Sequence, residues 1–479
     1  MGLGGGVIFT IYNASTGEVE VINARETAPK TMAPDLLNDC RDSFLPGAKW
    51  IAVPGELRGY EAAHRRHGRL PWKALFEPTI KFLEPGVEMS VVLNRFLSHP
   101  QLEHELRNSS LSKLFLSAHG AILQPGETLH WPALVKTLRA VGEHGAKEFY
   151  SGETARKLVA DVRKQGGSLT LDDLGSYQVR VVKALNISLG NYAMYSAPEP
   201  AAGPIIFFIL NVLKGFNFTK ESMSTPGGSA TAYHYIAEAL KFANGQRPKV
   251  EDPKFSGAEE GRIRELISDA FADHARQQID GRGNHTASHY NLSQRSMGTF
   301  GTSHVSVLAE DGSAVSVTST INHPFGSMVY SDQTGIILNN ELVDFCMKQS
   351  SKTVSPGEMP PSSMAPSILI SRDGQSKLVI GGSGGQSIVP ALTLAIANKL
   401  WFGYDLDRAI RAPILSATTA GLLEFERGFR QDVVAELRRR GHRIREAALS
   451  LNVVQGISQD GPCIFPYSDV RKNGMASGY

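Results

Sequence analysis

Two alternating segments set back to back, His304–Ala309 and Ala314–Ile321, constrain this chain more than any other feature. They flank Glu310-Asp311-Gly312, a turn signal between two runs of period-two hydrophobicity, and so predict a β-hairpin. A Gly301-Thr302 junction opens the first strand, and Thr318 and Thr320 lie on the returning one. A threonine hydroxyl is a poor nucleophile until a base sits within hydrogen-bond reach. Cleavage of the Gly301–Thr302 bond would give Thr302 a free α-amine, whose unperturbed pKa of roughly 7.7–8.0 suits that task. One residue would then supply nucleophile and base together. A bare Gly-Thr pair is more often an ordinary strand start, so the surrounding residues must decide.

Composition narrows the class. Hydrophobic content of 42% and charged content of 20% are those of a globular chain. A length of 479 residues suggests two to four domains or one large layered α/β unit. A net charge of +2 gives no electrostatic case for nucleic acid. Cys40, Cys346 and Cys463 are too few and too scattered to predict a metal site or a disulfide scaffold, and no metal or organic cofactor is expected. No apolar run reaches the ~18 residues of a membrane span, and Ile205–Leu213 reads as a buried helix. No secretory signal opens the chain, and Met1-Gly-Leu-Gly-Gly-Gly6 lacks the Ser or Thr of a myristoylation site. Sequons nevertheless occur at Asn13, Asn108, Asn186, Asn217, Asn284 and Asn291. At about one Ser or Thr in seven residues, chance would give roughly two or three, so the excess points to the secretory pathway.

Along the chain, Ile8–Tyr12 and Glu20–Ile22 predict a first hairpin around Ser15-Thr16-Gly17. Ala155, Leu158, Val159 and Val162 share one helical face, with Gly166 placed for a left-handed cap. Ser229–Asn244 reads as a helix with Ser229 as N-cap and Gly245 just past its end. Leu378–Ile380 reads as a strand entering Gly381-Gly-Ser-Gly-Gly385, followed by an apolar helix from Ile388 to Trp401. Asp432–Arg440 reads as a solvated basic helix end. Helices in the first two-thirds with two sets of strands predict layered α/β packing.

An acyl-transfer site needs a nucleophile, a base, an oxyanion hole and a substrate clamp. Gly384 and Gly385, in a turn before a helix, would offer backbone N–H groups to an oxyanion. No Lys-Ser/Thr follows them, which excludes a phosphate loop. Arg25 could fork onto a carboxylate. Glu341 and Asp344, three residues apart on one side of a helical turn, could accept from an ammonium or simply form a charge pair at a helix N-terminus. Ser362 and Ser363 are two hydroxyl donors or a plain loop.

The words GLGGGVIFTIYN, VINARE, VPGELRGYEAAHRRHGRLPW, DPKF, GTSHVSVLAEDGSAV, TSTIN, FGS, GIILNNE, PSSM, GGSGG and LWFGYD together carry a resemblance. Over essentially its whole length the chain resembles the gamma-glutamyltransferases, also called glutathione hydrolases. Phrases such as INHPFGSMVYSDQTGIILNNEL and SKLVIGGSGG are similar to the gamma-glutamyl leukotrienase subtype. The resemblance implies an α/β N-terminal-nucleophile hydrolase fold, a four-layer αββα sandwich, made as a proenzyme. It implies autocatalytic cleavage at Gly301–Thr302 into a large subunit, 1–301, and a small subunit, 302–479, which remain together as a heterodimer. By motif position Thr302 is the nucleophile and Thr320 steadies its amine and hydroxyl. Arg25 clamps the α-carboxylate of the γ-glutamyl group with help from Ser362 and Ser363. Asn322, Glu341 and Asp344 hold its α-ammonium, and Gly384 and Gly385 form the oxyanion hole. The implied substrates are glutathione, leukotriene C4 and other S-conjugates, with water, amino acids or dipeptides as acceptors.

Two departures accompany the match. Many family members carry an aromatic lid after the residue at position 322, where this chain has His323-Pro324, so a more open pocket mouth is expected. The family's membrane anchor, which would place the enzyme on the extracellular face of the cell membrane, is expected upstream of the GLGGG block where this chain begins. Two rival readings follow: an amidase of the same fold acting on acylated antibiotics, and a truncated, unprocessed isoform that only binds partners.

Overall fold

The computed structural model describes residues 2–40, 45–257, 261–292, 301–347, 353–446 and 453–478; Gly298-Thr299-Phe300, ahead of the expected cut, lies outside them. The first hairpin forms from β1 (Gly6–Tyr12) and β2 (Val19–Ala24). It is followed by α1 (Glu56–His67) and a helical region. Three strands, β3 (Arg180–Lys183), β4 (Leu185–Leu189) and β5 (Tyr192–Ser196), then lead into α2 (Gly203–Lys214) and α3 (Pro226–Gln246). Beyond Gly301 come β6 (Gly301–Leu308), β7 (Ala314–Asn322), β8 (Ser367–Ser371) and β9 (Ser376–Ser383). Then follow α4 (Ile388–Leu400), β10 (Val453–Asp460) and β11 (Cys463–Ser468).

These strands build two antiparallel sheets, in the orders β3-β2-β1-β7-β6 and β11-β10-β9-β8-β5-β4. Strands β6 and β7 pack face to face on β9. Between the sheets Ala314, Ile368 and Val379 form a small apolar cluster. Polar contacts cross the same space: Ser316 Oγ donates to the Ile380 carbonyl at 3.0 Å, and Thr10 Oγ1 to that of Pro366 at 2.9 Å. Helix α1 covers the outer face of the first sheet, with Tyr60 edge-on to Phe9 at 6.1 Å. On the second sheet's outer side, α2 is buried from Gly203 to Leu213 and packs with α3 and α4 in the largest core cluster. Its uniformly apolar sequence fits that place, since a helix that is hydrophobic all round has no face for water.

Two expectations need correction. Helix α3 begins at Pro226 with Thr225 as its cap, not at Ser229, and runs through Gly245 to Gln246. Proline at the first helical position costs no hydrogen bond, so Pro226-Gly-Gly opens the helix rather than preceding it. The cysteines are also not all independent. Cys40 and Cys346 form a disulfide, with Cα atoms 5.7 Å apart, while Cys463 is exposed and free. Their 306-residue separation hid the pairing, because Cα proximity rather than spacing decides it. Of the sequon asparagines, Asn108, Asn186, Asn217, Asn284 and Asn291 are exposed and Asn13 is half-buried. Among the described residues no helix is long and apolar enough to cross a membrane.

Candidate active site

Strand pairing between β6 and β7 slips at one point. Gly301 lies opposite Asn322 and Thr302 opposite Thr320, so the bulge falls on the Gly301–Thr302 bond itself. Bulges re-aim side chains where a strand meets a functional site. Gly301 is held so tightly that a Cβ there would lie 2.3 Å from the Asn322 carbonyl oxygen and 2.6 Å from that of His323. Only glycine fits.

Thr302 and Thr320 are both buried, with hydroxyl oxygens 3.5 Å apart. Thr320 Oγ1 donates to the Gly301 carbonyl at 2.7 Å and accepts from the Asn322 backbone N–H at 2.8 Å. Its proton is therefore committed to the carbonyl beside Thr302, so in the uncut chain it is turned away from the expected contact with Thr302. Asn322 has φ +70°, a left-handed conformation that is sparsely populated outside glycine and clusters at functional sites. That bend aims its amide into the second half of the site. Asn322 Nδ2 donates to Asp344 Oδ1 at 3.1 Å and to the Asn340 carbonyl at 3.3 Å.

Glu341 and Asp344 project from a short 3₁₀ helix, Glu341–Met347, and both are buried. Arg25, the residue after β2, meets them there. Its guanidinium hydrogen-bonds Glu341, donates to Asp344 Oδ2 at 2.6 Å, and reaches the Pro361 and Pro360 carbonyls at 2.9 and 3.2 Å. The residues expected to grip opposite ends of a substrate thus grip each other. Burial opposes charge on all of these groups. For Arg25 the neighbouring Glu341, Glu26 and Asp344 outweigh it and hold the pKa well above the usual value. For Glu341 and Asp344 burial wins and raises both, against the pull of Arg25.

Glu26, for which the sequence signals no role, lies 3.6 Å from Arg25 and is fully buried. Burial followed by the charge of Glu341 raises its pKa far above the carboxylate range. Three buried carboxyls around one guanidinium cannot all ionise. Burial and the charge of Glu341 both favour the protonated form of Glu26. No spacing rule marks it, since its neighbour Arg25 absorbs the obvious signal of that motif.

Gly384 and Gly385 take φ of 127° and 58°, which suits glycine, and Gly385 opens a 3₁₀ turn, Gly385–Ser387, that leads into α4. On the facing loop, Ser362 Oγ accepts from the Met364 N–H at 3.1 Å. Ser363 Oγ accepts from Arg247 Nη1 at 3.1 Å, and Arg247 Nη2 donates to the Gln386 carbonyl at 3.2 Å. Arg247 is the second residue the sequence did not single out. The structure therefore joins Thr302, Thr320, Asn322, Asp344, Arg25 and the Pro361–Ser363 loop by consecutive contacts, and ties that loop to the Gly384–Gly385 turn. His323 is buried, with Nδ1 2.9 Å from Asn340 Nδ2, so its ring faces inward and only Pro324 remains partly accessible at the expected lid position.

The family model described as Gamma-glutamyltranspeptidase matches residues 1–479. The chain belongs to the gamma-glutamyltranspeptidase family. It is 51% identical over 503 residues to the glutathione hydrolase 5 proenzyme of Homo sapiens, covering 100% of this chain and 86% of that protein. To the protein of the same name from Rattus norvegicus it is 52% identical over 488 residues, covering 100% and 85%. Cephalosporin acylase from Bacillus halodurans shares the mixed α/β fold, with a TM-score of 0.86 and 23% identity over 100% of this chain and 88% of that one. For this family member the likeness to the acylase speaks to the fold alone.

Proposed function

We propose that this family member is a self-processing γ-glutamyl hydrolase and transferase. It takes the N-terminal-nucleophile fold as a four-layer αββα sandwich assembled from segments 1–301 and 302–479. In maturation, Thr302 Oγ attacks the Gly301 carbonyl carbon, the C–N bond breaks as its nitrogen takes a proton, and water hydrolyses the resulting ester. The contact that supports this step is the 2.7 Å hydrogen bond from Thr320 to the Gly301 carbonyl oxygen, where negative charge develops. Loss of Gly301 then frees the Thr320 hydroxyl to turn to the new amine and hydroxyl of Thr302. In turnover the same oxygen attacks the γ-carbonyl of the substrate. The leaving amine departs with a proton, and the γ-glutamyl ester passes to water or to an acceptor amine, with Gly384 and Gly385 holding the oxyanion.

The observation that carries this reading is the opposed charge pair of Arg25 with Glu341 and Asp344, joined through Asn322 to Thr320. A γ-glutamyl group carries one carboxylate and one ammonium at the same carbon, so it can exchange partners with that pair at no cost in net charge. An acyl group lacking the amino-acid end cannot, which disfavours an antibiotic amidase. Glutathione S-conjugates such as leukotriene C4 are the proposed preferred substrates, supported by the mouth at Pro324, which carries no aromatic side chain. Exposed sequons and a disulfide both suit the oxidising secretory route to the extracellular face of the cell membrane.

The test is direct. Purified protein should yield a new N-terminus reading Thr-Ser-His-Val, and Thr302→Ala should remain one chain. The processed enzyme should hydrolyse a γ-glutamyl anilide and leave a glutaryl anilide, which lacks the amino group, essentially untouched. Equal rates on both anilides would sink the γ-glutamyl assignment; a cut Thr302→Ala chain would sink self-processing by this residue.

A further inference from the structure

Asp252, in the word DPKF, is fully buried and lies outside the set of expected site residues. Both of its carboxylate oxygens are taken by donors. Arg180 Nη1 and Nη2 reach them at 2.6 and 2.8 Å, the Lys254 N–H at 3.1 Å and the Met359 N–H at 2.9 Å. The Arg180 fork balances the charge in the geometry that suits a guanidinium and a carboxylate. The Met359 contact does something else, because it joins segment 1–301 to segment 302–479. Met359 stands directly before Pro360-Pro361-Ser362. Proline has no N–H, so neither Pro360 nor Pro361 can be held by a backbone donor of its own. Yet their carbonyls carry the Arg25 guanidinium, Nε on Pro360 at 3.2 Å and Nη2 on Pro361 at 2.9 Å. The proline pair is instead pinned from its flanks, by the Met359 N–H on Asp252 and by the Ser362 N–H on the Pro200 carbonyl at 2.8 Å. Two backbone bonds with Ala28, from the Gly357 N–H and to the Glu358 carbonyl, bring the loop alongside but end before the prolines.

The same contacts return to Arg25 from the other side. Arg180 opens β3 and pairs with Asn23 of β2, and Asn23 Oδ1 accepts the Arg25 backbone N–H at 3.0 Å. A closed circuit thus runs from the Arg25 backbone through Asn23, Arg180, Asp252 and Met359 to the proline carbonyls at its guanidinium. Glu341 and Asp344 attract that guanidinium by charge, whereas the carbonyls fix the plane of the fork. Proline φ is locked, so the stretch between the two pins is stiff and a shift at Met359 passes to both carbonyls. We propose that Asp252 is a positioning residue: through the Met359 N–H it sets the Pro360 and Pro361 carbonyls, and through them the plane of Arg25. The proposal rests on the γ-glutamyl reading above, under which a donor must meet Arg25 in one orientation.

A double-mutant cycle separates positioning from bracing, with L-γ-glutamyl-p-nitroanilide as donor and processing first verified on a reducing denaturing gel. Asp252→Ala removes the acceptor for Met359, and kcat/KM should fall at least about tenfold, mainly through KM because Thr302 is untouched. In an Arg25→Lys background the same substitution should cost less than about threefold, since the fork it positions is already gone. Arg180→Lys keeps a cation beside Asp252 and leaves the Met359 bond in place, so kcat/KM should change by less than about threefold. If Asp252→Ala does not mature, Asp252→Asn, which keeps the volume and one acceptor oxygen, runs the same cycle. Equal losses in the two backgrounds would make Asp252 a brace. An unchanged kcat/KM in the single variant would detach it from the site, and a loss in Arg180→Lys as large as in the Asp252 variant would assign the effect to the ion pair. Each of these results overturns the proposal. Failure of the γ-glutamyl reading looks different: the processed wild-type enzyme would release no nitroaniline from this donor.

Discussion

The Cys40–Cys346 disulfide spans the expected cut, with Cys40 in 1–301 and Cys346 in 302–479. Mature protein should therefore be a covalent heterodimer. In the uncut chain the bridge closes a loop of 306 residues, which a chain-entropy estimate values at about 6 kcal/mol. After the cut the loop is open and the bond becomes a tether. The two segments still share both sheets, through β1 against β7 and β5 against β8, so they should stay together in native buffer without it. The perturbation is Cys40→Ser, chosen because Cys40 is only half-buried whereas Cys346 sits within the cluster of Leu36, Trp50, Leu342 and Phe345. On a denaturing gel without reductant, wild-type mature protein should run as one full-mass band. Reductant, or Cys40→Ser without reductant, should give two bands, 1–301 and 302–479. Thermal melting should drop in Cys40→Ser, and KM should rise more than kcat falls, because Cys346 lies two residues beyond Asp344 on the same 3₁₀ helix. Two bands from fully processed wild-type protein without reductant would refute the tether.

Further outcomes follow from individual contacts. Arg25→Lys keeps the charge but loses the planar fork that meets Glu341, Asp344 and two carbonyls, so kcat/KM for a γ-glutamyl anilide should fall at least about tenfold; an unchanged value would remove Arg25 from the site. Gly301→Ala places a Cβ 2.3 Å from a backbone oxygen, so self-cleavage followed on a reducing gel should slow at least about tenfold, and a normal rate would mean the bulge is not required. Glu56 is buried under Ser319 and Tyr60, and burial raises its pKa from 4.5 to about 7. The folded state binds that proton more tightly than the unfolded one, so its stabilisation is full below about 4.5 and is lost as pH rises through about 7. Glu56→Gln should flatten the pH dependence of the urea midpoint over that window by on the order of 3 kcal/mol, and an unchanged slope would show that another group titrates there.

What was legible in the sequence followed local rules. The hairpin from Gly301 to Asn322 declared itself through period-two alternation around a Gly turn, and it carries the expected nucleophile. The apolar helix after Gly385 and the buried helix at Ile205–Leu213 were equally local. What stayed hidden depends on distance in the fold. Arg247 meets Ser363 across 116 residues and Cys40 meets Cys346 across 306, and no spacing in the chain encodes either approach. Glu26 was hidden differently: a lone Glu beside an Arg reads as a surface pair, and only its complete burial beside Arg25 sets it apart.

That burial also explains why the uncut chain can keep so many charges in one place. Arg25 pairs with Glu341 and Asp344, and Asn322 bonds the further oxygen of Asp344. Breaking one partner of such a cluster leaves an uncompensated buried charge, so the three groups hold one another in place. On the proposed reading a zwitterionic donor would enter by supplying an ammonium to Glu341 and Asp344 as its carboxylate meets Arg25 and the hydroxyls of Ser362 and Ser363. A neutral or singly charged acyl donor would have to separate the pair without replacing it. On the proposed reading, discrimination for a free amino-acid end would come from the cost of opening the cluster, in addition to contacts made after it opens. The glutaryl anilide, which keeps the carboxylate and lacks the ammonium, should therefore bind worse than the loss of one hydrogen bond alone would predict.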